Sequence, residues 1–356
     1  MLRAGILGAS GYGGAELIRR LARHSGVDLT GFGSRQYEGQ ELQAAWPQLA
    51  GTGLGGQRFA DNDTVIADAD VVFFATPHGA TAPLVAQARA AGKLVVDLSA
   101  DFRLSAAAYA EWYGGEHPAP GLIADAVYGL VELHRNELPG AELIASPGCN
   151  STAASLALAP LAAAGLLGDD TAVTIATGIS GAGRAPKQVL HFPEAMDSVV
   201  PYSTGGRHRH IAEMEANLGR LRAQDRDRLE THGPQDPPGI TFTPVRVPTV
   251  RGILAVCSTR PAAGAPATPE LLDLYRDFYA GDAFVHVQDE APETGAVAGS
   301  DRALLSVERD RRTGTVMAYA VLDNLGKGAA GQAVQAFNLA NGFAEGEGLQ
   351  QEGRWP

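Results

Sequence analysis

Cys149 stands in Ser146-Pro147-Gly148-Cys149-Asn150-Ser151-Thr152 and is one of two cysteines in 356 residues. The Pro-Gly turn ahead of an apolar run predicts a helix that opens at the cysteine and runs through Thr152 to Leu158. A helix N-terminus offers backbone N–H groups without intrahelical partners, and its dipole favours negative charge there. Both stabilise a thiolate, the nucleophilic form of cysteine. The same N–H groups would stabilise the oxyanion formed when the sulfur attacks a carbonyl. The competing reading is a buried structural thiol. Cys257 lies in the apolar run Ile253-Leu254-Ala255-Val256 and reads as core.

A thiolate that adds to a carbonyl needs an acid/base neighbour, and histidine suits neutral pH. Of nine histidines, the best placed are in Gly205-Gly206-Arg207-His208-Arg209-His210, followed by Glu213 and Glu215. His210 and Glu213 are three apart at a helix start and share a face. A carboxylate there would orient an imidazole or favour its protonation. The His-x-His spacing also suits a metal, but no third ligand cluster accompanies it, so no metal is expected. A basic surface patch is the other reading.

The chain opens with Leu2–Leu7, an apolar strand, then Gly8-Ala9-Ser10-Gly11-Tyr12-Gly13-Gly14 and an amphipathic helix from about Ala15 to His24. A glycine turn between strand and helix lets backbone approach a pyrophosphate. At the end of the second strand, Val27–Phe32, an NAD site would carry an acidic side chain. This chain has Gly33-Ser34-Arg35, whose hydroxyl and guanidinium suit a 2′-phosphate and so NADP. A reactive thiol together with a nicotinamide points to hydride exchange between a thioester and an aldehyde.

Three further clusters suit an anionic substrate or the cofactor. Ser180-Gly181-Ala182-Gly183-Arg184 is a glycine-rich turn with a guanidinium, fit for carboxylate or phosphate or simply a turn. Asp101-Phe102-Arg103 follows a strand's carboxyl end, where ligands gather in parallel sheets. Asn324-Leu325-Gly326-Lys327-Gly328 either closes over a nicotinamide, with Lys327 or backbone amides near phosphate, or starts a helix.

These residues need a scaffold, and its outline is periodic. Buried strands Asp70–Thr76 and Leu94–Leu98 flank a helix through Pro83–Ala91, as in a covered parallel sheet. Beyond residue 150 the strands Thr171–Ile179, Ile240–Val247, Ile253–Thr259, Phe284–Val287, Ala303–Glu308 and Thr315–Asp323 follow with few long helices between them. Several alternate apolar and polar residues, the mark of half-exposed antiparallel strands. The expected class is α/β plus α+β: a Rossmann-type parallel sheet and a second domain on a mostly antiparallel mixed sheet. The expected domains are residues 1–149 with 327–356, and 150–326. A helix over Ala329–Phe343 returns to the first domain, and polar, Pro-rich Ala223–Gly239 reads as a loop.

A net charge of −12 disfavours nucleic acid and anionic membranes as partners. Two cysteines suit a reducing cytoplasm. The apolar run Ala153–Leu167 is too short to span a bilayer and is interrupted by Ser155, Pro160 and Gly165.

Taken together, Gly8–Gly14, Pro77-His78-Gly79, Asp97-Leu98-Ser99-Ala100-Asp101-Phe102-Arg103, Pro147-Gly148-Cys149, Gly178–Arg184, His208-Arg209-His210, Arg251-Gly252-Ile253-Leu254 and Asp323–Gly328 resemble the N-acetyl-gamma-glutamyl-phosphate reductase family of arginine biosynthesis. The resemblance runs along nearly the whole chain. It implies a Rossmann domain plus an α+β dimerisation domain, shared with aspartate-semialdehyde and glyceraldehyde-phosphate dehydrogenases. It implies that Cys149 attacks an acyl phosphate, that NADPH reduces the resulting thioester to N-acetylglutamate 5-semialdehyde, and that His208 or His210 moves the proton. The implied cofactor residues are Gly8, Ser10, Gly11, Tyr12, Gly13, Ser34, Arg35, Pro77, His78, Ser99, Asn324 and Lys327. The implied substrate residues are Arg103, Ser180, Gly181, Arg184 and Glu213. A homodimer or homotetramer is expected.

One feature departs from the family. Asn150-Ser151-Thr152 follows the cysteine where an aromatic residue is usual. That sequence resembles the branch acting on glutamyl or aminoadipyl phosphate attached to a small acidic carrier protein. Ser180–Arg184 matches the acetyl branch instead, and the acidic charge suits an acidic carrier poorly. A third reading, from another class, is a nucleotide-binding regulator with an inert thiol.

Overall fold

The computed structural model describes residues 1–223, 238–261 and 264–354. The chain forms two compact units. The first comprises Met1–Pro147, Gly183–Ala185 and Ala329–Leu349; the second comprises Gly148–Ala182, Pro186–Gly328 and Gln350–Pro356.

The first unit is built on β1 (Leu2–Leu7), β2 (Val27–Gly33), β3 (Val71–Phe74), β4 (Leu94–Asp97), β5 (Ala126–Tyr128) and β6 (Leu143–Ala145), in the order β2-β1-β3-β4-β6-β5. Every pairing is parallel. Both faces are covered by apolar side chains, which is why the strands read as continuous apolar runs. The chain moves from β1 outward to β2 and then returns past β1 to β3. The direction therefore reverses between β1 and β3, and sheets of this kind bind ligands outside the strand ends at that point. The expected strand Asp70–Thr76 is shorter, because Ala75 and Thr76 already belong to the turn beneath Gly8. β5 and β6 are three residues each, too short to show a period, and the sequence reading does not name them.

The last helix, Gly331–Ala340, belongs to this first unit, preceded by a π-turn at Gly326–Ala330. Phe337 packs edge-on against Phe73 with centroids 5.3 Å apart. Gln332 Nε2 donates to Gly129 O at 2.7 Å.

The second unit carries β7 (Thr171–Gly178), β8 (Val200–Pro201), β9 (Ile240–Val247), β10 (Ile253–Thr259), β11 (Val285–Val287), β12 (Ala303–Arg309) and β13 (Val316–Leu322), in the order β11-β12-β13-β10-β7-β9-β8. β7 pairs parallel with β9 and β11 with β12; the others are antiparallel. This is the mixed sheet expected from the alternating pattern. Of the loop expected over Ala223–Gly239, residues 224–237 lie outside the described residues.

The helix Cys149–Ala163 runs against this sheet, and every residue from Asn150 to Ala162 is buried. It is longer than the sequence indicates because Pro160 does not end it. Proline lacks an N–H, so the carbonyl of Leu156 loses its helical donor. The Tyr279 hydroxyl supplies one at 2.6 Å, and Tyr275 donates to Ala157 O at 2.5 Å. A buried carbonyl must be paired, and here two tyrosines from the helix Thr268–Phe278 and its end do it.

The units depart from the expected boundaries in four places. Gly148 and Cys149 join the second unit because the cysteine begins its buried helix. Gly183–Ala185 join the first through Arg184. Lys327 and Gly328 stay with the second. Residues from Gln350 onward return to it, where Asp301 N–H donates to Gln350 O at 2.7 Å and Gln350 N–H to Asp301 Oδ2 at 2.9 Å. Among the described residues no helix is long and apolar enough to cross a membrane.

Candidate active site

Gly148 is the extended residue before the helix, at φ −72° and ψ 141°, and Cys149 is its first residue. The thiol is therefore at the positive end of a helix buried along nearly its whole length, where solvent screens the dipole least. Gly148 N–H donates to Glu213 Oε2 at 2.9 Å. Glu213 Oε1 stands 3.9 Å from His210 Nε2, and the Glu213 side chain has no exposed surface. The His210 ring lies against Gly148 where a Cβ would otherwise be, with Nε2 the nearest atom. One carboxylate thus holds both the turn before the thiol and the face of the imidazole beside it. His210 and Glu213 reach this position as the first and fourth residues of the helix His210–Ala223, as their spacing indicates.

His208 behaves differently. Burial pushes its pKa down to about 3, with His210 adding to the effect and Glu213 partly opposing it. It is a neutral ring at physiological pH. Its Nδ1 accepts the His210 backbone N–H at 3.2 Å. Its ring packs edge-on against His210, Phe242 and Tyr202.

A cavity of about 380 Å³ opens in front of Cys149 within the second unit. Asn150, Thr177, Tyr202, His208, His210 and Arg246 line it beside the cysteine, and Gly181, Ala182 and Lys187 form part of its wall. Thr177 Oγ1 donates to Asn150 Oδ1 at 3.0 Å, and Asn150 Nδ2 donates to the Tyr202 oxygen at 3.3 Å. Burial raises the Tyr202 pKa, and the nearby Cys149 charge adds to it, so the hydroxyl keeps its proton. Among the described residues, the buried Nε of Arg246, on β9, has no hydrogen-bond partner. A guanidinium edge in that state is suited to an anion. The chemistry on offer is attack on a carbonyl by a helix-capping thiolate, with an imidazole for the proton and a cation for an acidic group.

The sequence reading does not single out Tyr202, Thr177, Lys187 or Arg246. Arg246 is one polar residue in the alternating strand Ile240–Val247, and only the register that faces β9 toward Cys149 distinguishes it. Tyr202 follows a two-residue strand that has no period to read.

Other expected residues hold backbone. The Asn324 amide donates to Ser180 Oγ at 3.0 Å and accepts from Gly252 N–H at 2.9 Å. Lys327 is fully buried. Gly328 backs onto the nucleophile; a Cβ there would come within 2.9 Å of Cys149 Cβ. Arg103 and Arg184 both lie in the first unit. Arg103 donates to Ser146 O at 2.7 Å and Leu98 O at 2.8 Å, and Arg184 donates to Ser10 O at 2.8 Å. Neither guanidinium is among the residues lining the cavity.

In the first unit the Gly8–Gly14 turn is closed by Gly11 N–H donating to Gly8 O at 2.9 Å. Gly8 has φ +78°, and a Cβ on it would come within 2.5 Å of Ala75 O. The helix Tyr12–Leu21 starts three residues earlier than its apolar face indicates. Its first-turn N–H groups, from Tyr12 and Gly13, have no intrahelical acceptors. The hydroxyls of Ser10 and Ser34 are 2.7 Å apart, and Arg35 is exposed beside them. Pro77 and His78 are exposed in the turn after β3, and Gly79 N–H donates to Asp101 Oδ1 at 2.8 Å. Ser99 is buried, donating to both oxygens of Asp97. Glycines at the crowded positions, free helix-start donors and no carboxylate at the end of β2 fit a nicotinamide dinucleotide bearing a 2′-phosphate. Among the described residues no three metal-ligating side chains cluster.

Comparison with known proteins agrees along the whole chain. The family described as semialdehyde dehydrogenase, NAD binding domain, matches residues 3–141, and semialdehyde dehydrogenase, dimerisation domain, matches 149–324. An N-acetyl-gamma-glutamyl-phosphate reductase of Thermus thermophilus is 51% identical over 99% of this chain and 100% of its own. One from Heliobacterium modesticaldum is 42% identical over 100% of both. Among solved structures, aspartate semialdehyde dehydrogenase II of Vibrio cholerae has a TM-score of 0.67 at 18% identity, covering 95% of this chain and 98% of its own. Aspartate semialdehyde dehydrogenase with NADP from Candida albicans has 0.67 at 17%, with the same coverage. These two show a shared fold.

Proposed function

Because the chain belongs to the N-acetyl-gamma-glutamyl-phosphate reductase family, we propose that it reduces N-acetyl-L-glutamyl 5-phosphate to N-acetyl-L-glutamate 5-semialdehyde and phosphate, in arginine biosynthesis. The observation that carries the reading is the cavity that gathers Cys149, His210 and Arg246. The likeness to named reductases favours an enzyme over a non-catalytic regulator.

Cys149 Sγ attacks the acyl carbon, the C–O bond to phosphate breaks, and phosphate leaves with its electron pair. The thioester remains on the sulfur. Helix-start N–H groups hold the carbonyl oxygen as charge develops on it. NADPH, when bound, supplies the hydride that reduces this carbon. Gly8, Ser10, Gly11, Tyr12 and Gly13 would hold the dinucleotide phosphates, and Ser34 with Arg35 the 2′-phosphate. His210 protonates the oxygen of the reduced centre, and that proton is withdrawn as the C–S bond breaks and the aldehyde forms. His208, held neutral, fixes the His210 backbone instead of exchanging protons itself. Glu213 orients His210 and the turn before the thiol. Arg246 takes the substrate's α-carboxylate or the departing phosphate, and Lys187 lies near enough the mouth to add charge.

Arg103 and Arg184 act on the loops around the two sites. Asn324 and Ser180 brace the turn that backs Cys149. We further propose a cytoplasmic homodimer or homotetramer.

The reverse reaction tests the reading. Free N-acetylglutamate 5-semialdehyde, NADP⁺ and phosphate should give NADPH, and Cys149→Ser should not. Turnover only with a semialdehyde on an acidic carrier protein would replace the substrate and keep the chemistry. No turnover with either would overturn the assignment.

A further inference from the structure

Thr177, Asn150 and Tyr202 form a chain of hydrogen bonds beside the thiol, all within the second unit. Thr177 Oγ1 donates to Asn150 Oδ1 at 3.0 Å, and Asn150 Nδ2 donates to the Tyr202 oxygen at 3.3 Å. An amide nitrogen can only donate, so the phenol oxygen accepts and its own proton is not used in this contact. The ring is held as well, packed edge-on against His208 with centroids 5.6 Å apart. The sheet sets a cation on the same side. Pairing with β9 puts Thr177 of β7 and Val200 of β8 opposite Arg246. Tyr202 N–H donates to Pro244 O at 3.0 Å, which extends that register, and alternate residues of a strand share a face. Tyr202 and Arg246 both line the cavity. The buried Arg246 Nε has no hydrogen-bond partner among the described residues.

We propose that Tyr202 and Arg246 form the phosphate subsite of the cavity, with the phenol donating a hydrogen bond to a phosphate oxygen and Asn150 as the positioning residue that aims it. The inference rests on the acyl-phosphate chemistry given above, and it assigns to Arg246 the phosphate and not the α-carboxylate. Asn150 follows Cys149 directly, so the phenol it holds is tied to the reacting end of the substrate. The phosphate is bonded to the carbon under attack, whereas the α-carboxylate is at the far end of the chain. Burial raises the Tyr202 pKa, and the Cys149 charge adds to it, so the donor keeps its proton. A hydroxyl donating to a phosphate oxygen makes a charge-assisted bond. That bond strengthens as the C–O bond breaks and charge gathers on the departing phosphate.

The reverse reaction reads this subsite, because inorganic phosphate is then a substrate in its own right. Tyr202→Phe should raise KM for phosphate about tenfold or more, as expected for one hydrogen bond to a charged group. KM for N-acetylglutamate 5-semialdehyde should stay within about twofold of the parent. Asn150→Asp replaces the amide donor by a carboxylate that takes the phenol proton, and should raise KM for phosphate at least as far. A second measurement needs no turnover. Inorganic phosphate should shield Cys149 from iodoacetamide, and half-protection in either variant should need about tenfold more of it. The proposal is overturned if Tyr202→Phe leaves KM for phosphate unchanged, if the rise falls on the semialdehyde, if kcat alone drops, or if phosphate shields the variants as well as the parent or shields none of them. Should one variant not fold by circular dichroism, the other decides by the same limits. Failure of the substrate reading looks different: free semialdehyde then gives no turnover, while phosphate still shields Cys149 and the variants still weaken that protection.

Discussion

Glu213 Oε2 accepts the backbone N–H of Gly148 at 2.9 Å, so a carboxylate on one helix caps the turn that delivers the thiol on another. The contact separates two roles of Glu213. Glu213→Gln keeps an acceptor for Gly148 and loses the charge facing His210. It should melt close to the parent and lose about 10- to 100-fold in kcat. Glu213→Ala leaves a buried N–H unpaired and should also lose about 1–3 kcal/mol of stability. Steady-state kinetics and denaturant unfolding on both variants check the split; equal kcat for parent and Glu213→Gln would count against it.

The two thiols should differ sharply. Burial pushes Cys257 up to about 12, whereas Cys149 opens onto the cavity. Iodoacetamide at neutral pH should label Cys149 alone, as read by peptide mass, and activity should fall in step. Cys257→Ser should keep turnover.

Arg246→Gln should raise KM for the acyl substrate by about tenfold or more and leave KM for NADPH near the parent value. Initial-rate kinetics with each substrate varied in turn gives the answer. An effect confined to NADPH would place the guanidinium on the nucleotide instead.

His208 makes stability depend on acid. Its folded pKa is about 3, against about 6.5 for a free imidazole. The unfolded chain takes up the proton first, so this stabilisation is full above the free value and is lost as pH falls from 6.5 toward 3. Asp97 works with the opposite sign, since burial raises it to about 7 and its contribution is lost as pH rises from the ordinary carboxylate value toward 7. His208→Asn, whose amide oxygen can still accept the His210 N–H, should flatten the acid loss. Urea unfolding at pH steps between 4 and 7, at roughly constant ionic strength, measures the slope.

Tyr279→Phe removes the donor that serves the Leu156 carbonyl beneath Pro160. It should cost about 1–3 kcal/mol with little change in kcat. Chemical denaturation with a parallel activity assay checks both halves.

Much of this was legible in the chain. The strand, glycine turn and helix at the start are local in sequence, and so are the Pro-Gly turn before Cys149 and the spacing of His210 and Glu213. What stayed hidden depends on partners far away. Pro160 reads as a break because the hydroxyl that serves the Leu156 carbonyl beneath it comes from Tyr279, 123 residues beyond Leu156. Arg184 reads as a substrate ligand because its acceptor, Ser10, is 174 residues back. Arg246 gives no local sign, since only the pairing of β7 with β9 carries it to the thiol's neighbourhood.

The His210 imidazole rests in the space left by an absent side chain at Gly148. A proton carrier seated this way cannot be moved by altering the carrier alone. Replacing Gly148 with even alanine would evict the ring, so any redesign of the proton route has to begin at a residue that itself performs no chemistry.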